Sequence, residues 1–160
     1  MLEKIVSGGQ TGVDRAALDA ALILGVPCGG WCPKGRLAED GAISTRYPLT
    51  ETHSAKYPYR TACNVRDSDA TLILTRGEPT GGTALTVSLA DSYRKPLWVV
   101  DLQRASAVKP VVEWINQQTV QVLNVAGPRE SQCPGIYPQA YAYLQTLLLQ
   151  FNSPPDLDSV

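Results

Sequence analysis

Apolar and polar positions alternate between two rhythms along this chain. Leu2–Val6 is a short apolar run of the kind that forms a buried strand. From Val13 the apolar residues recur at helical spacing, at Ala16, Ala17, Ala20, Ala21 and Leu24, broken by Asp14 and Asp19. Gly25 closes that helix as a C-terminal glycine does. Val26–Trp31 predicts a second strand, so the opening unit is βαβ, a parallel pair joined right-handedly. Cys32–Tyr59 has neither rhythm and carries Pro33, Pro48 and Pro58 with several glycines and charges. It predicts a long ordered loop, and such loops in compact domains are usually functional. A short helix over Arg60–Arg66 ends at Asp67-Ser68-Asp69, and Ala70–Thr75 is the clearest strand. A helix at Thr83–Arg94, a strand at Leu97–Val100, an amphipathic helix at Lys109–Gln118, a strand at Val120–Val125 and a helix at Tyr137–Phe151 follow. Residues 1–151 form one domain in this reading, and 152–160, with Pro154-Pro155, form a flexible tail.

Strands alternating with helices predict an α/β domain with a mainly parallel five-stranded sheet. The expected strand order is 2-1-3-4-5, which reverses between strands 1 and 3. Open α/β sheets bind ligands outside the carboxyl ends of their strands at such a point. Two glycine–threonine loops leave those strands: Gly8, Gly9, Gln10, Thr11 and Gly12 after the first, Thr80, Gly81, Gly82 and Thr83 after the third. A glycine turn opening a helix exposes backbone N–H groups and the positive end of the helix dipole, and threonine hydroxyls add donors. Together they predict a pocket for a small anionic, phosphorylated ligand. Neither loop matches G-x-G-x-x-G or G-x4-G-K-[ST], so no dinucleotide or nucleoside-triphosphatase motif is present. Each also has a purely structural use, in packing or helix capping. Around the loops stand Arg15, Trp31, Lys34, Arg36 and Thr86, and, where the fifth strand ends, Asn124, Gly127, Arg129, Glu130 and Ser131. The cations suit phosphate and Trp31 suits a flat ring.

Composition narrows the partners. The chain has 160 residues, 44% of them hydrophobic and 18% charged, with a net charge of −1. No Lys/Arg run is present, which argues against nucleic acid as a partner. The start of the chain is too short and too charged in its apolar run for a signal peptide, and no apolar stretch reaches the roughly 18 residues of a membrane span. The expectation is a soluble cytoplasmic protein. Cys28, Cys32, Cys63 and Cys133 lack zinc-site spacing and His53 is the one histidine, so reduced structural thiols are expected and no metal site. No catalytic residue set stands out: Asp14, Asp69, Glu78 and Glu130 are acidic candidates, and a single histidine makes a Ser-His-Asp triad improbable.

Taken together, Ser7–Arg15, Trp31–Arg36, Asp67-Ser68-Asp69, Gly81-Gly82-Thr83 and Asn124–Ser131 resemble the molybdenum cofactor carrier family, over nearly the whole chain from Glu3 to Leu149. The resemblance implies a Rossmann-like three-layer α/β/α sandwich within a larger group that includes cytokinin-activating phosphoribohydrolases. It implies a non-enzymatic role: binding and protecting the molybdenum cofactor (molybdopterin), a pterin with a terminal phosphate and a dithiolene holding molybdenum oxide. It also implies a homo-oligomer, commonly a tetramer, and delivery to a molybdoenzyme or exchange with a cofactor-synthesis partner. The phosphoribohydrolases carry a catalytic glutamate one helical turn after the glycine–threonine pair, where this chain has Thr86. The alternatives are a nucleotide or sugar-phosphate processing enzyme using Asp14 or Glu130, and a nucleotide-sensing module.

Overall fold

The computed structural model describes residues 1–104 and 107–152, so the tail expected at 152–160 lies, apart from Asn152, outside the described residues. Five parallel strands form one sheet: β1 (Lys4–Val6), β2 (Cys28–Gly29), β3 (Ala70–Thr75), β4 (Leu97–Asp101) and β5 (Val122–Ala126). Among the described residues five helices accompany them: α1 (Val13–Ile23), α2 (Tyr57–Arg66), α3 (Gly81–Ser92), α4 (Lys109–Gln117) and α5 (Ile136–Asn152). α1 and α4 both pack on α5 to make one outer layer, and α2 packs on α3 to make the other. The fold is a Rossmann-like three-layer sandwich.

The order across the sheet is β2-β1-β5-β3-β4, not the expected 2-1-3-4-5. The last strand sits at the centre, paired with β1 through Ile5↔Leu123 and with β3 through Leu72↔Val125. Its Leu123, Asn124 and Val125 are buried, as a strand covered on both faces requires. The connection from β2 through α2 therefore spans two strands before β3 begins. Counted from β3 rather than from β1, the same arrangement does read 2-1-3-4-5. The chain follows the expected winding from a different starting point. Asn152 at the end of α5 donates to the Leu24 carbonyl at the end of α1, 3.2 Å away, so the last helix closes against the first.

Short side chains set the packing of the outer layer. Ala16, Ala17, Ala20 and Ala21 of α1 are buried, as are Ala140, Leu144, Leu147 and Leu148 of α5, all in the main core. The ordered loop predicted at Cys32–Tyr59 also contains short strand pairs and, from Tyr57, the first turn of α2. Trp31–Cys32 pairs in parallel with Thr50–Glu51, and Leu37–Ala38 pairs antiparallel with Gly41–Ala42. Cys32, Ala38, Ile43 and Tyr47 form a second small core with Leu18 of α1. The second strand is thereby cut to Cys28–Gly29, and Trp31 leaves the main sheet.

At the carboxyl ends of the central strands, backbone meets backbone. A Cβ on Gly12 would lie 2.3 Å from the Pro128 carbonyl, and Val13 N donates to that same oxygen at 3.2 Å. A Cβ on Gly127 would lie 2.2 Å from the Leu74 carbonyl of β3. Gly12 also has φ +77°, a left-handed conformation that costs a side-chain-bearing residue. Gly12→Ala is expected to lower unfolding free energy by about 2–3 kcal/mol. Gly82→Ala, where an added Cβ meets nothing within 4 Å, should change it by less than about 1 kcal/mol. Urea titration followed by circular dichroism measures both.

Candidate functional site

Those soldered strand tips form the floor of a cavity of about 270 Å³, just below the ~300–1,000 Å³ usual for small-ligand sites. It opens where the strand order reverses, between β5 and β3. The β1 loop contributes Gly8 and Gln10, the β5 end contributes Asn124 to Arg129, and α3 contributes Gly82, Thr83 and Thr86. The two glycine loops thus do meet at one cavity, joined there by the end of β5.

α2 supplies the wall that sequence reading left out. Tyr57, Pro58, Arg60, Thr61 and Asn64 all line the cavity. Arg60 is 7% exposed, a rare degree of burial for a guanidinium, and the contacts around it explain how it is held. Its Nη1 donates to the Gly8 carbonyl at 2.7 Å and lies 4.0 Å from the Asp14 carboxylate. Its Nε donates to Thr61 Oγ1, and its guanidinium lies 5.2 Å from the Tyr57 ring centre. The planar cation is oriented by a carbonyl, a hydroxyl and a ring, with fork donors left for a ligand. Its helical register (Tyr57, Arg60, Thr61, Asn64) is an i, i+3, i+4, i+7 face, which the expected helix start at residue 60 cut short.

Asp14 is, among the described residues, the one carboxylate lining the cavity. Burial pushes its carboxyl up to about 6, opposed by the Arg60 charge and by the Gln10 N–H, which donates to Oδ2 at 3.3 Å.

The remaining candidates divide by position. Thr83 and Thr86 face the cavity, with the Thr86 hydroxyl donating to the Gly82 carbonyl at 3.0 Å. Asn124 Nδ2 donates to Thr71 Oγ1 at 3.2 Å, which fixes its amide between two strands. Gly81 and Thr80 stand exposed at the entrance of α3, outside the lining. Gly9, Thr11 and Gly12 shape the β1 loop from behind. Arg15 turns away from the cavity: it donates to the Gly9 carbonyl and binds Asp40 through both Nη atoms. Arg36 is consumed by the long loop, donating to the carbonyls of Ile43, Ser44, Tyr47 and Leu49. Lys34 is exposed and outside the lining. The Trp31 backbone is held by Asn64 and its indole N–H donates to Asp67, so the aromatic ring lining the cavity is Tyr57. Glu130 caps the start of α5, accepting from Gly135 N and Tyr137 N. Ser131 and Thr11 both bind Glu39.

The donor set fits an oxyanion attached to a flat ring: one buried guanidinium, the Thr83 hydroxyl and the open N-terminus of α3, beside Tyr57, Leu85, Val125 and Pro128. Cys28, Cys32, Cys63 and Cys133 are free thiols and none lines the cavity. Among the described residues no three His, Cys, Asp or Glu side chains gather as metal ligands, and no helix is long and apolar enough to cross a membrane.

A parallel α/β sheet with a cavity at its reversal point defines a Rossmann-like domain. The profile of the circularly permutated YpsA SLOG family matches residues 5–148, and the chain belongs to that family. The shifted starting strand seen in the sheet is compatible with a circularly permutated fold. The chain is also similar to a crystal structure from Syntrophus aciditrophicus SB named "Putative molybdenum carrier protein", at 45% identity and TM-score 0.87, over 92% of this chain and 95% of that one. No curated protein matches.

The position of Asp14 has a measurable consequence for stability. Its carboxyl titrates near 6 when folded and near 3.8 when unfolded, so folding favours the protonated form. The stability this provides is full below about pH 4 and is lost as pH rises through 6, a change of about 3 kcal/mol. Asp14→Asn removes the titration. The stability of the variant relative to the parent should therefore rise by about that amount between pH 4 and pH 8, as read from urea unfolding at each pH.

Proposed function

We propose that this protein binds the phosphorylated molybdenum cofactor and holds it without chemical turnover. The observation that carries the reading is the buried Arg60 guanidinium, oriented into a cavity at the sheet's reversal point and faced by the α3 N-terminus. Arg60, Thr83 and the Gly82 amide are assigned to the phosphate, with Asn124 and Arg129 at its edge. Tyr57 and Leu85 are assigned to the pterin ring. When bound, the cofactor itself supplies the metal and dithiolene chemistry, and the protein's part is to orient the phosphate and keep water from the ring. The name of the Syntrophus relative supports the ligand class. The cavity volume is smaller than a whole cofactor needs, so in this reading the ring's far end extends past the mouth.

Holding without turnover rests on two residues. Thr86, at the place where related hydrolases carry a glutamate, has no acid or base to offer and spends its hydroxyl on the Gly82 carbonyl. Glu130 is committed to the α5 cap. One observation favours the alternative of a nucleotide or sugar-phosphate enzyme: Asp14 is a buried cavity carboxyl poised near neutral pH, as a general acid or base would be. Incubation with nucleoside monophosphates, followed by chromatography, separates the two readings. Intact nucleotide is expected, and release of free base overturns the carrier reading.

Native mass spectrometry with the cofactor is expected to show one ligand per chain. Arg60→Ala should weaken binding roughly 10- to 100-fold, the loss of one charge-assisted contact, while Arg60→Lys keeps the charge and recovers part of it. Equal affinity in parent and Arg60→Ala, by titration calorimetry, would remove the phosphate from this cavity.

A further inference from the structure

Beside the main cavity, one carboxylate sits in a nest of donors. Glu39 is at the tip of the Leu37–Ala42 hairpin, and four groups from two other loops converge on it. The Thr11 hydroxyl donates to Oε1. The Ser131 N–H donates to Oε1 at 3.1 Å, and the Ser131 hydroxyl donates to Oε2 at 2.5 Å. Arg129 Nε lies 3.7 Å from Oε2. These contacts hold the Glu39 carboxyl below the usual carboxylate range, although burial works against them.

We propose that this nest is a second oxyanion subsite and that Glu39 is its built-in plug, displaced when a tetrahedral dianion takes the same donors. An amide, two hydroxyls and a guanidinium around one point are the donor set that binds phosphate and molybdate alike. They hold an anion already, which shows that the site is competent for one. Arg129 belongs both to this nest and to the lining of the main cavity, so the two sites are contiguous. The plug is built to move. Residues 39–42 are exposed, while Ala38 and Ile43 on either side are buried, so the tip can swing on fixed flanks with little apolar surface at stake. What holds it is polar: Glu39 N donates to Gln10 Oε1 at 2.9 Å, and Asp40 pairs with Arg15 at 2.9 Å. Neither contact would survive a swing of the tip, so anion entry is coupled to the β1 loop through Gln10 and Arg15. Thr11 and Ser131 belong to this subsite alone, and Arg129 is the one donor it shares with the main cavity.

Titration calorimetry with inorganic phosphate and with sodium molybdate, on parent, Glu39→Ala and Glu39→Gln, tests this. Removing the plug's charge should raise affinity for the dianion about tenfold in both variants, an effect of one competing charged contact. Arg129→Ala added to Glu39→Ala should cancel the gain, and Arg60→Ala added to Glu39→Ala should leave it. Gain for molybdate alone assigns the subsite to a free metal oxyanion, and equal gain for phosphate assigns it to a phosphoryl group. Unchanged or weaker affinity in both Glu39 variants, with native circular dichroism, means that Glu39 is a structural staple and overturns the proposal. If Glu39→Ala fails to fold, Glu39→Gln decides. A gain that vanishes with Arg60→Ala instead places the anion in the main cavity, which overturns the second subsite and leaves the first reading standing. Hydrogen exchange on the parent gives an independent readout: saturating molybdate should speed exchange at the Glu39 amide, and an unchanged rate counts against displacement.

Discussion

Everything at the ligand-facing end of this domain depends on how closely three backbone segments approach. Gly12 lies against the Pro128 carbonyl and Gly127 against the Leu74 carbonyl, at distances where no side chain fits. That contact brings the start of α1, the end of β5 and the end of β3 to one point. The amides and hydroxyls of three different loops then converge on one cavity. With a side chain at either glycine the loops would stand a full side-chain layer apart, and donors placed singly at a surface are mostly satisfied by water.

The second constraint is electrostatic. The cavity that gathers the Arg60 guanidinium and the N-terminus of α3 also holds the Asp14 carboxyl. Burial pushes this carboxyl up to about 6, and Arg60, at 4.0 Å, offsets the charge of its ionised form. Arg60 is itself kept in place by the Gly8 carbonyl, by Thr61 and by the Tyr57 ring. The long loop adds its own acidic residues. Glu39 and Asp40 reach across to Arg129, Ser131, Thr11 and Arg15, so these donors are already engaged with carboxylates.

Much of the fold was legible because it is written in local pattern. Ala70–Thr75 is buried at every position and was the plainest strand, and the alanine spacing of α1 matches the face that packs on α5. The same holds for the pocket's glycine loops, whose donors are backbone atoms and so depend on turn geometry that glycine announces. Side chains were less legible. Arg15, Arg36 and Arg60 look alike in sequence, yet one pairs with Asp40, one is saturated by four carbonyls and one faces the ligand cavity. Nothing local distinguishes them, because the partners are 25 residues away for Asp40 and 52 for Gly8.

The amino-acid sequence by itself determined the alternation of strands and helices, the parallel sheet and the two glycine turns, since each follows from periodicity and backbone freedom within a few residues. Only the tertiary structure decided that the last strand enters the middle of the sheet, that Tyr57 rather than Trp31 lines the cavity, and which arginine is buried there. Those outcomes come from pairing between segments far apart in the chain. Many pairings satisfy the same local pattern, and the one that forms is selected by how all the buried faces fit at once.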